Sequence, residues 1–270
     1  MNRRGTLLAV ALAAGLALLY LPLLAVIGLS LNRSRLGVRW GGITLRWYGQ
    51  LWHNEAILHS AANTLILACA STIIATILGS TLAIGMQRFP WSMNLRRVFS
   101  TTIHLPIVTP DIIFAAAMMA IFRIARELTG FFELGLTTMI IAHVTFQISF
   151  VALVVRARLE TIEPEIEEAA RDLYAGSWDV FRRVLLPLLW PGIVAGALLA
   201  FTLSLDDFVI SFFTSGPESA TLPIYIFSSL KRGISPDIHA LSTIIFVVTA
   251  ILAVALQVMF GASGKEQERI

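Results

Sequence analysis

Residues 161–177 read Thr-Ile-Glu-Pro-Glu-Ile-Glu-Glu-Ala-Ala-Arg-Asp-Leu-Tyr-Ala-Gly-Ser, within the only long charged stretch of the chain, Arg156 to Leu189. Helix punctuation runs through them. Pro164 suits a first helical position, where its missing N–H costs nothing. Glu165, Glu167 and Glu168 then fall near the helix start, where the macrodipole favours anions. Gly176 reads as a stop. Ser177 is placed to cap a second helix with Asp179 in its first turn. That helix is predicted to run through Phe181 and Val184 to a break at Leu186-Pro187. The stretch is thus two short helices meeting at a sharp turn.

What surrounds it is apolar. Of 270 residues, 57% are hydrophobic and 14% charged, and the mean hydropathy is +0.79. Soluble domains carry roughly 25% charged residues and about 45–50% apolar ones. The excess lies in runs. Disordered, collagenous and disulfide-rich classes are excluded, and an ordinary soluble enzyme does not fit. A spanning helix needs about 20 apolar residues, so the length suits six spans with short loops. The expected fold class is all-α: a polytopic membrane protein with six transmembrane helices. The single cysteine, Cys69, cannot form an internal disulfide, and no Cys/His cluster has metal-ligand spacing. Net charge +3 suits basic cytosolic loops, so nucleic acid need not be invoked.

The first run, Thr6 to Leu31, follows Arg3-Arg4. It exceeds the 7–15 apolar residues of a signal peptide and reads as an uncleaved helix. Asn32 to Glu55 carries Trp40, Trp47, Tyr48 and Trp52, which suits an interfacial loop with aromatic anchors. Spans are predicted over about Leu58 to Met86, Val98 to Phe122 (broken at Pro106 and Pro110), Leu134 to Val155, Trp190 to Phe213 and Ile238 to Gly261. The expected division is 1–57 (first helix and interfacial loop), 58–262 (a five-helix core with the charged loop at about 157–190) and 263–270 (tail). With the N-terminus inside, 12 of the 20 Lys and Arg fall in inner segments and 8 in outer ones. The positive-inside rule therefore places both termini in the cytosol of a bacterial inner (plasma) membrane.

The spacing in the charged loop is specific. Glu168-Ala169-Ala170, three residues, position 174, nine residues, Val184, one residue and Leu186-Pro187 resemble the EAA loop of ABC-importer permeases. Leu198-Leu199-Ala200-Phe201-Thr202-Leu203-Ser204-Leu205-Asp206-Asp207-Phe208 is similar to the spermidine/putrescine permease subfamily. So are Pro110-Asp111, Ala142-His143-Val144-Thr145-Phe146, Leu222-Pro223 and Pro236-Asp237-Ile238-His239. The resemblance implies the ABC type I importer permease fold. It also implies that Glu167, Glu168, Ala169, Ala170, Asp172, Tyr174, Gly176, Leu186 and Pro187 form the ATPase-coupling segment. The implied partners are an ATP-binding subunit dimer, a second permease and a periplasmic substrate-binding protein. ATP and Mg would be used by the partner ATPase, with no cofactor bound by this chain. The departure is at position 174, where the family usually has Gly and this chain has Tyr. Gly176, two residues on, is placed to take over the turn, because Gly reaches positive φ freely.

Asp206 and Asp207 are the strongest intramembrane signal. Ionised groups within a span cost several kcal/mol unless they face a cavity or a partner. Asp206 lies 15 residues beyond Pro191, roughly 22 Å along a helix, in the outer half. Paired carboxylates suit a cationic amine; a structural ion pair or a helix end at the interface is the other reading. Asp111, Ser204 and His143 complete the candidate substrate path. Thr109-Pro110-Asp111 equally reads as N-cap, N1 and N2 of a restarting helix, and His143 and Gln147 as interhelical hydrogen-bonding groups. Gly264-Lys265 is not a phosphate loop, since Glu266 follows. A secondary transporter would need no ATPase dock, and an intramembrane enzyme would need a nucleophile–base pair or metal motif not found here.

Overall fold

Lipid offers no partner to backbone polar groups, so an apolar run satisfies them internally as helix. In the computed structural model, which describes residues 3–34, 39–232 and 236–267, the apolar runs do so. Helix α1 spans Arg3–Ser30, α2 Arg46–Leu51, α3 Glu55–Arg88, α4 Met93–Val108 and α5 Asp111–Thr129. Then come α6 (Leu136–Leu159), α7 (Pro164–Asp172), α8 (Ser177–Asp179), α9 (Leu186–Asp206), α10 (Val209–Thr214), α11 (Leu222–Arg232) and α12 (Pro236–Gln267). Segments Leu8–Ser30, Glu55–Arg88, Leu136–Leu159 and Ser177–Asp206 are each long and apolar enough to cross a membrane. Helices α4 and α5, bent by 109° at their junction, make a broken fifth span, and α12 completes the six-helix all-α fold.

Two junctions differ from the sequence reading. Thr109 ends α4 and sends its hydroxyl back to Leu105 O (2.7 Å); Pro110 occupies the N-cap of α5, and Asp111 is its first residue. The cap assignment therefore shifts by one residue, because the Thr hydroxyl is spent on the preceding helix. Leu186-Pro187 is not a break. Ser177 leads through a π-helical turn, Val180–Leu185, directly into α9. The Leu186 N–H reaches back five residues to Phe181 O. A proline ring clashes with the carbonyl four residues earlier in a regular helix; widening the turn by one residue makes room for Pro187 and keeps the chain helical. The span therefore starts well before Trp190.

The chain divides into two compact units, Met1–Leu58 with Ile226–Ile270, and His59–Tyr225. The last helix thus groups with the N-terminal segment. In the first unit α1 and α2 pack on α12. Trp47 is buried and its indole donates to Asn32 O (2.8 Å). Asn32 in turn holds the loop through Arg39 O and the Ser34 and Gly41 amides. Trp47 is thus a packing residue rather than an interfacial anchor, while Trp40 and Trp52 are exposed.

The second unit is organised by α6 against α9 in a regular antiparallel register. His143 meets Ser204 (2.9 Å), Gln147 Nε2 donates to Ala200 O (3.1 Å), Val151 packs on Gly196, and Arg158 Nε donates to Leu188 O (3.0 Å). The facing positions of α9, Gly192, Gly196, Ala200 and Ser204, recur every four residues, and all are buried. Small residues at this spacing let backbones approach closely where lipid removes the hydrophobic drive between helices. A Cβ on Gly192 would stand 2.6 Å from Arg158 Cβ, and one on Gly79 of α3 would stand 2.8 Å from Val151 Cβ. Val151, Ala152 and Val155 form a core with Ala83, Met86, Ile103 and Ala200. Below it, Leu159, Ile162, Leu185 and Leu189 form a second core.

Candidate functional site

The charged loop and the polar end of α9 both lie in the second unit. In the loop, Ile162 and Leu185 are buried, so α7 is anchored on that lower core. Adjacent helical residues point about 100° apart, and the two glutamates part company accordingly. Glu167 is only 5% exposed. Its carboxylate pairs with Arg88 at the end of α3 and, at 3.4 Å, with Arg171 one turn on. Glu168 is exposed, with Ala169 and Asp172 beside it. Glu168, Glu167, Arg88, Arg171, Pro164 and Phe181 are among the residues lining a groove of about 690 Å³.

The turn after α7 is made by Tyr174 itself. Its φ is +61°, the left-handed conformation that the glycine usual at this position would adopt without steric cost. Gly176, at φ −66° and ψ 159°, is extended and is the N-cap of α8. The expectation that Gly176 takes over the turn is therefore corrected, and the cap expected at Ser177 moves back one residue. Tyr174 is 99% exposed, beside exposed Leu173 and Trp178. Asp179 pairs with Arg183 at 3.2 Å. Leu186 and Pro187 lie inside the continuous helix, at the start of α9.

At the other end of α9 the paired carboxylates have different surroundings. Helix α9 ends at Asp206, and Asp207 turns extended at φ −65°, ψ 124°. The Asp207 side chain accepts the first free amides of α10, Ile210 N at 3.2 Å and Ser211 N at 2.7 Å. A carboxylate there serves both the unpaired donors and the dipole of the new helix. Its Oδ2 also lies 3.3 Å from His143 Nε2. His143 continues the network: Nδ1 meets Ser204 Oγ (2.9 Å), Nε2 meets Ser211 Oγ (3.1 Å), and Ser204 Oγ meets Ser71 Oγ of α3 (3.3 Å). His143, Ser71, Ser204 and Ser211 are all buried. Four helices are joined at one polar knot.

The structure thus brings together Asp207, His143 and Ser204 of the predicted path residues. Asp206 stays on the exposed side, and exposed Asp111 forms no ion pair among the described residues. Ser71, Ser211 and Arg88 were not singled out. Ser71 sits in a run of small residues and Arg88 at the end of an apolar run; neither carries a local signal of its partner.

The comparisons with known proteins agree with this architecture. The sequence profile described as "Binding-protein-dependent transport system inner membrane component" matches residues 75–265. The chain is 37% identical over 261 residues to the putrescine transport system permease protein PotI of Escherichia coli K12, covering 96% of this chain and 92% of that protein. It is 35% identical over 243 residues to the spermidine/putrescine transport system permease protein PotC of the same strain, covering 90% and 89%. A crystal structure of a bacterial ABC transporter that imports the acidic polysaccharide alginate shares the fold, with a TM-score of 0.73 at 20% identity over 96% of each chain. A charged loop packed on the apolar helices of its own unit, a matched profile across most of the chain and relatives aligned nearly end to end have one reading: the chain belongs to the inner-membrane components of binding-protein-dependent ABC importers, and is a multi-pass transport subunit rather than an enzyme.

Proposed function

We propose that this permease imports a small organic cation, most simply a polyamine such as putrescine or spermidine. The observation that carries the reading is the exposed carboxylate of Asp206, beside an Asp207 already committed to His143 and the α10 amides. A carboxylate in a low-dielectric path attracts an amine far more strongly than one in water, and the relatives named for polyamines support the same class. In this reading Asp206 and Asp111 contact the passing cation, and Ser204 and His143 hold the wall through Asp207.

The remaining assignments follow from this function. Glu168, Ala169, Ala170, Asp172 and Gly176 dock on an ATP-binding subunit, Tyr174 tunes that docking through the turn it makes, and Glu167, Leu186 and Pro187 hold the surface in place. ATP and Mg act on the paired ATPase subunits, and this chain binds neither. A second, similar permease completes the path, a periplasmic binding protein delivers the substrate, and both termini lie in the cytosol. ATP closure draws the coupling segments together and opens the permease pair outward; hydrolysis resets it.

The test is uptake of labelled putrescine and spermidine by cells carrying the whole importer. Asp206→Asn should depress uptake with normal assembly, whereas Asp207→Asn should lower both uptake and the amount of assembled protein. Unchanged polyamine uptake in the Asp206 variant, or a cognate binding protein selective for an anion or sugar, overturns the assignment in favour of another small solute.

A further inference from the structure

A second pocket, of about 380 Å³, lies where the ends of α3 and α6 meet the start of α4. Its lining includes Arg96, Arg97, Arg156 and Ser100, against a single carboxylate, Glu160. Glu160 is engaged by Arg156 at 2.9 Å. Arg96 and Arg97 are exposed and have no ion-pair partner among the described residues. They sit in the first turns of α4, a helix of 16 residues whose N-terminus adds positive potential. The volume falls within the range of about 300–1,000 Å³ usual for small-ligand sites.

The segment that carries Arg96 and Arg97 points to the class of ligand. Trp91 donates its indole N–H to Gly85 O (2.9 Å) and lies against Phe89 and Phe99, with ring centroids 6.0 and 5.2 Å away. Met93 lines the pocket with the arginines, and Trp91, Leu95 and Val98, on the same segment of chain, are exposed. Tryptophan with exposed apolar side chains suits the boundary between headgroup and acyl chain, while planar guanidiniums engage phosphate oxygens through two parallel hydrogen bonds. A soluble acidic protein would have no use for these exposed apolar side chains. We propose that this pocket binds the phosphate headgroup of an anionic phospholipid, with the acyl chains lying along Trp91 and its neighbours. Basic pockets between spanning helices are a known means of selecting such lipids. The inference rests only on the membrane placement of the chain and is independent of its substrate.

The test uses the assembled importer, delipidated in detergent, and compares phosphatidylglycerol, phosphatidylcholine and inorganic phosphate by thermal unfolding. Phosphatidylglycerol should raise Tm by about 2 °C or more through preferential binding to the folded state, and the other two should not. Arg96→Gln with Arg97→Gln should keep the lipid-free Tm and lose the rise; the corresponding double Lys variant should keep part of it. Should the double Gln variant fail to assemble, Arg97→Gln alone and the wild-type selectivity among the three probes decide the matter. An equal rise with phosphatidylcholine, an equal rise with inorganic phosphate or a full rise in the Gln variants overturns the proposal. So does loss of the ATP-binding subunit from a Gln variant, which would assign the arginines to a protein partner.

Discussion

Replacing Glu167 by Ala removes a carboxylate that is only 5% exposed and leaves the Arg88 guanidinium facing an empty space. Breaking a fully buried ion pair from one side costs about 3–5 kcal/mol. The Arg88 side chain retains 27% exposure, and the Arg171 contact is a surface pair worth about 0–1 kcal/mol. The expected loss is therefore about 2–3 kcal/mol, or a fall in Tm of roughly 4–12 °C at about 2–4 °C per kcal/mol. The same substitution at exposed Glu168 should stay within about 0.5 kcal/mol. The assay is thermal inactivation of the assembled importer in detergent, paired with co-purification of the ATP-binding subunit. Glu167→Ala should lower the midpoint and Glu168→Ala should leave it alone. A joint Glu167→Leu and Arg88→Met change should recover much of the loss, since an apolar pair of similar volume suits a buried site. If the two single variants inactivate at the same temperature, the ion pair does not hold α7 and the reasoning fails.

Tyr174→Gly relieves a left-handed residue that costs about 1–2 kcal/mol in an L-amino acid, against about 0.4–1 kcal/mol of added unfolded-state freedom. Stability should be equal or up to about 1.6 kcal/mol higher, with uptake equal or better; loss of uptake in an assembled complex would reveal a direct Tyr174 contact. Glu168→Lys should cut uptake sharply while membrane insertion, measured by membrane-fraction yield, persists. Gly192→Val places a side chain against Arg158 Cβ, at 2.6 Å for its Cβ, and should reduce the yield of folded permease; normal yield would argue against the tight seam between α6 and α9.

The spans were legible because lipid imposes one rule on every apolar run. The two short helices of the charged loop were legible because their punctuation is local. What escaped lay in contacts distant along the chain. Glu167 and Glu168 look alike until α3 brings Arg88 beneath one of them. Asp206 and Asp207 look alike until the chain turns extended between α9 and α10 and commits the second to His143. Pro187 looked like a break because a widened turn leaves no mark in the sequence. Tyr174 was visible as a departure, but that it takes up glycine's conformation itself was not.

The seam between α6 and α9 constrains how this subunit can move. Sliding one helix past the other by a turn of about 5.4 Å would strip Gln147 of Ala200 O and His143 of Ser204 together. Each orphaned polar group in a water-free interior costs several kcal/mol. The two helices therefore travel as one beam. The regular helical geometry of α9 is bounded by the widened turn at Val180–Leu185 and the extended joint at Asp207. In the proposed coupling role, a movement of the charged loop would reach Asp206 through this rigid pair, at the place where Asp207 turns extended.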